Sequence, residues 1–152
     1  MTGDVKFCRP EVNLATAAGI MWENDCGVVP VVDGAGKVIG MITDRDIAMA
    51  VAMQGRFALD IAVSEVMSTE VYACAINDDA KSALKTMRHK KVRRLPVASS
   101  DGALQGILCL NDVVLRAEEA KGKRIPNLSY EDALSTLKAI CEQRTAHKAA
   151  TA

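Results

Sequence analysis

Apolar positions along the chain fall into two alternating kinds of block. Val28-Val29-Pro30-Val31-Val32 and Leu95-Pro96-Val97-Ala98 are short unbroken apolar runs, the pattern of strands buried on both faces. Each run leads into a turn, Asp33-Gly34-Ala35-Gly36 or Ser99-Ser100-Asp101-Gly102, and then into a second run, Val38 to Thr43 or Leu104 to Cys109. Two strands around such a turn predict a hairpin. Before each hairpin, apolar residues recur at helical spacing. Leu14, Ala17, Ala18, Met21 and Trp22 follow the candidate cap Asn13, and Ala80, Ala83, Leu84 and Met87 follow Asp78 or Asp79. That spacing places Trp22 in the core. After each hairpin a further helix is expected, Asp44 to Gln54 stopped by Gly55 and Asn111 to Lys121 stopped by Gly122, because glycine tolerates the left-handed backbone of a helix stop. Short apolar runs, Val5 to Cys8 and Val71 to Ile76, open the two blocks. The order is β-α-β-β-α, twice.

A shift of 66 residues brings the blocks into register without a gap. Identical pairs are Val5/Val71, Cys8/Cys74, Ala17/Ala83, Met21/Met87, Pro30/Pro96, Val31/Val97, Gly36/Gly102, Gly40/Gly106 and Asp46/Asp112. Internal duplication of one unit explains this. The expected organisation is repeat 1 over residues 1–60, repeat 2 over 61–122 and a helical extension with a tail over 123–152. Arg56 to Met67 links the copies, with Ser64 to Met67 as a helical lead-in. In the extension, Pro126 breaks the chain and Ser129 can cap a helix. Tyr130, Ala133, Leu134, Leu137, Ile140 and Cys141 form its apolar stripe, and the tail after Arg144 is polar. The helix could pack on its own module or on a partner subunit.

Composition narrows the function classes. The 152 residues carry 19 Lys+Arg and 19 Asp+Glu, so there is no cationic surplus for nucleic acid or an anionic membrane. No apolar run reaches membrane-spanning length. The first residues lack the basic and apolar segments of a secretory signal, so a cytoplasmic setting is expected. Five cysteines without a C-x-x-C pair fit a reduced compartment. With two histidines, no nucleophile–base pair and no Gly-rich phosphate loop, neither a metal site nor an enzyme is indicated.

The residues Val29-Pro30-Val31-Val32-Asp33 and Gly40-Met41-Ile42-Thr43-Asp44-Arg45-Asp46-Ile47 carry a resemblance. So do Val66-Met67-Ser68, Arg93-Arg94-Leu95-Pro96-Val97 and Gly106-Ile107-Leu108-Cys109-Leu110-Asn111-Asp112-Val113. Over about residues 2 to 120 the chain resembles a tandem pair of CBS domains, named for cystathionine β-synthase. The resemblance implies an α/β (α+β) fold of two repeats packed as a pseudo-twofold pair, with clefts that take AMP, ADP, ATP or S-adenosylmethionine. It also implies a homodimer.

By this resemblance Asp46 and Asp112 accept hydrogen bonds from ribose hydroxyls, a task suited to a charged acceptor. Thr43 sits at a helix entry, where free N–H groups favour phosphate. Val28, Val29, Pro30 and Pro96 supply walls for the base. Thr43-x-x-Asp46 is equally a helix capping pattern, and the two roles are compatible. Cys109 replaces the threonine in copy two, and a thiol is a poor hydrogen-bonding group, so the clefts are expected to be unequal. Arg88 to Lys91 read as a solvated helix end, whereas Arg93 and Arg94 enter a strand and suit phosphate. The leading reading is a ligand-sensing regulatory module that acts in trans on an unidentified target protein. The alternative is an interaction scaffold with vestigial clefts.

Overall fold

The computed structural model describes residues 3–119 and 126–142. Its elements are α1 (Leu14–Glu23), β1 (Val28–Val32), β2 (Val38–Thr43), α2 (Asp44–Gln54), β3 (Cys74–Ala75), α3 (Ala80–Lys90), β4 (Arg94–Ala98), β5 (Leu104–Cys109), α4 (Leu110–Arg116) and α5 (Tyr130–Cys141). Single 3-10 turns at Ala58–Asp60 and Val63–Glu65 lie between α2 and β3. The chain divides into two compact units, residues 1–76 with 96–107, and residues 77–95 with 108–152.

The first unit is built on the β1–β2 hairpin. Val28 stands opposite Thr43, Val29 opposite Ile42 and Pro30 opposite Met41. Asp33 sets the turn, its carboxylate accepting from the amides of Ala35 and Lys37 at 2.9 Å each. Gly36 completes the turn at φ +80°, a conformation that L side chains rarely adopt. Leu14, Ala17 and Met21 from α1 bury against Val29, Val31 and Ile42 of the sheet and Ile47 and Ala50 of α2. Ile61 and Val63 of the linker close this core. Each of the Val, Leu, Ile and Met side chains in this core contributes about 1.5–3 kcal/mol through removal from water.

The expected opening strands are shorter than their apolar runs suggest. Val5 to Cys8 makes a single parallel bridge, Cys8 to Val31, and Val71 to Ile76 makes only β3. Cys74 pairs in parallel with Val97, so both copies join the same repeat positions. β3, β4 and β5 form a three-stranded sheet in that order.

Helix ends follow their local chemistry. The Asn13 side chain accepts from the Thr16 amide at 2.9 Å, and Asp79 precedes α3. Gly55 stops α2 at φ +63°. The last repeat helix is shorter than its composition predicts. α4 ends at Arg116, and Ala117 is extended. There the Glu118 amide donates to the Leu128 carbonyl at 2.9 Å, and the Glu118 carbonyl accepts from the Tyr130 amide at 3.1 Å. Those two bonds take the place of further helical ones. Lys121, Gly122 and the tail after Arg144 lie outside the described residues.

In the second unit α5 packs on α3 and α4. Ser129 caps α5 in a reciprocal box with Asp132, at 3.1 Å and 3.0 Å. The buried face of α5 differs from the expected stripe. Ala133 and Thr136 are buried, whereas Tyr130, Leu134 and Leu137 are exposed. Thr136 is accommodated because its hydroxyl donates to the Asp132 carbonyl at 2.7 Å and accepts from Arg88 at 3.1 Å. Arg88 is thus tied to α5 and is no solvated helix end.

Candidate functional site

The Thr43–Asp46 pair sits where β2 passes directly into α2. Thr43 is the helix cap, and its hydroxyl accepts from the Asp46 amide at 3.1 Å. In return Asp46 Oδ2 accepts from the Thr43 amide at 2.9 Å and from the Thr43 hydroxyl at 2.7 Å. One carboxylate oxygen is therefore committed to the cap, and Oδ1 carries no hydrogen bond among the described residues. Asp46 and Thr43 are both half-buried. A carboxylate so held has one oriented oxygen left to accept from a ligand hydroxyl.

The second repeat keeps half of this arrangement. Asp112 Oδ2 accepts from the Cys109 amide at 2.9 Å, and Oδ1 meets Arg116 at 3.3 Å. Burial pushes the Cys109 thiol up from its ordinary value, with the charge of Arg94 opposing. Arg94, half-buried, therefore stands beside Cys109, at the repeat position that Val28 holds opposite Thr43 in the first hairpin. Arg93 is exposed, and its carbonyl accepts from the Leu110 amide at 2.9 Å.

The wall residues divide between two sheet faces. Val29 is fully buried in the core of the first unit, so its side chain is engaged there. Val28 and Pro30 point to the opposite face by strand alternation and are also buried, as is Pro96 in β4.

A feature that the sequence reading missed lies between α1 and α2. A cavity of about 490 Å³ is lined by Met21, Trp22, Asp25, Gly27, Asp44 and Ile47, among others, and includes neither Thr43 nor Asp46. Trp22, placed in the core by its helical spacing, is 89% exposed. It lies near the end of α1, where the chain turns away through Asp25 at φ +47° and its indole meets no covering element. Gly27 lies close to Asp44: a Cβ there would lie 2.8 Å from the Asp44 carboxylate, which would have to swing aside. The contrast of Gly27 with Arg93 across the repeat was the available signal.

Comparison with known proteins adds the family. A family model for the CBS domain matches residues 1–53 and again 63–119. The chain belongs to the CBS-domain family. Its two CBS repeats are similar to the CBS domain-containing protein YhcV of Bacillus subtilis, with 35% identity over 134 residues, covering 87% of this chain and 94% of that protein. Among solved structures, the CBS-domain containing protein ATU1752 of Agrobacterium tumefaciens is 36% identical, with a TM-score of 0.66 and coverage of 74% and 88% of the two chains. The CBS domain pair of protein MJ0100, solved in complex with 5′-methylthioadenosine and S-adenosyl-L-methionine, shares the fold. It has a TM-score of 0.68 at 22% identity, with 75% of this chain and 92% of that chain covered. CBS domain pair proteins are regulatory. Among the described residues no helix is long and apolar enough to cross a membrane, and no cluster of three or more His, Cys, Asp or Glu could hold a metal ion.

Proposed function

We propose that this CBS pair is a sensor for an adenosyl ligand, of the AMP, ADP, ATP or S-adenosylmethionine class, and that it regulates a target protein in trans. The observation that carries this reading is the Asp46 carboxylate, fixed through Oδ2 by Thr43 and open at Oδ1. A ribose diol needs an oriented charged acceptor, and a held carboxylate supplies one. The neighbour MJ0100, solved with two adenosyl compounds, supports the ligand class.

The first repeat carries the stronger site. Thr43 has a hydroxyl at the α2 entry, where the first-turn amides favour phosphate oxygens. Cys109 offers a thiol instead, and Asp112 is already engaged by Arg116. Arg94, and Arg93 beside it, supply cations for phosphate in the second repeat. Pairing of two copies is the commonest assembly for such chains, and exposed Met49 and Met53 on α2 offer apolar surface for it.

A thermal-shift panel of the purified protein tests the reading. A ligand at about 100 times its dissociation constant adds about 2.7 kcal/mol, or about 5–10 °C for a chain of this size. A rise with one adenosyl ligand and none with guanosine nucleotides is expected. A flat panel would favour a scaffold with vestigial clefts.

A further inference from the structure

Helix α5 buries its small side chains and exposes its large ones. Against α3 and α4 it sets Ala133 and Thr136, both buried, with the Thr136 hydroxyl meeting Arg88 at 3.1 Å. Tyr130, Leu134 and Leu137 face away, Leu134 with 67% of its surface exposed, and Cys141 is exposed beside them. These four residues are spaced by four, three and four positions, which sets them in one stripe along the helix, about 17 Å long. α5 lies outside both stretches that match the CBS domain, residues 1–53 and 63–119, so the stripe belongs to the extension and not to the repeats.

The 4-3-4 spacing reads the same in both directions. A second α5 laid end to end on the first would set Tyr130 over Cys141 of the partner subunit and Leu134 over the partner's Leu137. Charge agrees with that direction. Glu131 and Lys138 each follow a stripe residue by one position, so they lie seven residues apart on the same flank. Both are exposed, and neither makes an ion pair among the described residues. A twofold axis crossing the two helices keeps this flank on the same side in both copies. It therefore brings Glu131 toward Lys138 of the partner subunit, twice over. Parallel helices would instead set this flank against that of Ala133 and Ile140 and leave all four charges unmatched.

We propose that the outer face of α5 docks the same face of a second copy of this chain, antiparallel, through Tyr130, Leu134, Leu137 and Cys141 and the Glu131–Lys138 pairs. A surface symmetric about its own centre, in apolar spacing and in charge, is what an isologous contact requires. Four side chains a helix fall short of the roughly 800 Å² per partner of a standard stable interface, so the pairing is reversible and concentration-dependent.

The test uses the full chain carrying Tyr130→Cys, mildly oxidised at increasing protein concentration and resolved on a non-reducing gel. Within one helix, positions 130 and 141 are about 17 Å apart, beyond the reach of a disulfide, so this linkage forms only between copies. Peptide mass spectrometry identifies the joined cysteines. The expected result is a 130–141 disulfide whose yield rises with concentration and is lost when Cys141→Ser is added. Glu131→Lys should lower the yield about fivefold, as should Lys138→Glu, and the two together should restore it, because the reversed charges meet again across the twofold. Restoration separates a direct contact from damage to the helix, which two substitutions would compound. The proposal is overturned if the 130–141 linkage does not form, which leaves the stripe to a different protein or to water. It is overturned equally if 130–130 and 141–141 linkages predominate, the mark of parallel helices, or if the double charge variant crosslinks no better than the single ones.

Discussion

The Thr43 hydroxyl and the Asp46 carboxylate cap one helix reciprocally, with the hydroxyl donating to Oδ2 at 2.7 Å and accepting from the Asp46 amide at 3.1 Å. Sixty-six positions later, the Cys109 amide still donates to Asp112 at 2.9 Å, but a thiol stands in place of the hydroxyl. This difference bears on the stability of the two helix ends. Thr43→Ala should cost about 1 kcal/mol in urea denaturation, and Cys109→Thr should recover a similar amount. Equal and negligible effects would show that neither cap matters.

Close approach at Gly40 gives a second expectation. A Cβ there would lie 2.7 Å from Met67 Sδ and 3.1 Å from the Ser68 carbonyl. Ser68 is fixed by paired 2.9 Å hydrogen bonds with Met41, so the backbone side of the contact does not give easily. Gly40→Ala should destabilise the protein by about 1–3 kcal/mol, read from the denaturation midpoint.

The α5 cap makes stability depend on pH. The folded Asp132 carboxyl is held below its ordinary value, first by the Ser129 amide and then by the Ser129 hydroxyl. A lowered folded value stabilises the protein above the unfolded value, about 3.9, and the effect is lost as pH falls through the folded one. The stability difference between the parent and Asp132→Asn should therefore be constant from neutral pH to about pH 5 and shrink below that. A difference that grows on acidification would contradict the assignment.

Burial raises the Cys8 thiol to about 11. The thiolate is the reactive form, so Cys8 should resist alkylation in the native protein at pH 8. Cys141 is exposed and should be modified first. Mass spectrometry of partially labelled protein reads this order directly.

Much of the architecture was legible from the chain because its signals are local. The β1 and β5 bounds, the Asn13 and Ser129 caps and the Gly55 stop all depend on residues within a few positions of one another. The errors fall where distant contacts decide. Ala117 to Lys121 has good helix-forming composition, yet Glu118 pairs with the segment before α5. Leu134 belongs to the more apolar stripe of α5, yet Thr136 faces inward because Arg88 is there to meet its hydroxyl. Trp22 fits a core period, yet it falls near the helix end, beyond the reach of the sheet. The Thr43–Asp46 pair was visible as a motif. Its free Oδ1 could be seen only with the hydrogen bonds in place.

The most direct test of the central claim is titration calorimetry with the adenosyl ligand that gives the largest thermal shift. The sensor reading expects saturable heat from the parent, loss of the stronger binding event in Asp46→Ala, and its retention in Asp112→Ala. Identical isotherms for the parent and Asp46→Ala would contradict the assignment of Asp46 as the ribose acceptor.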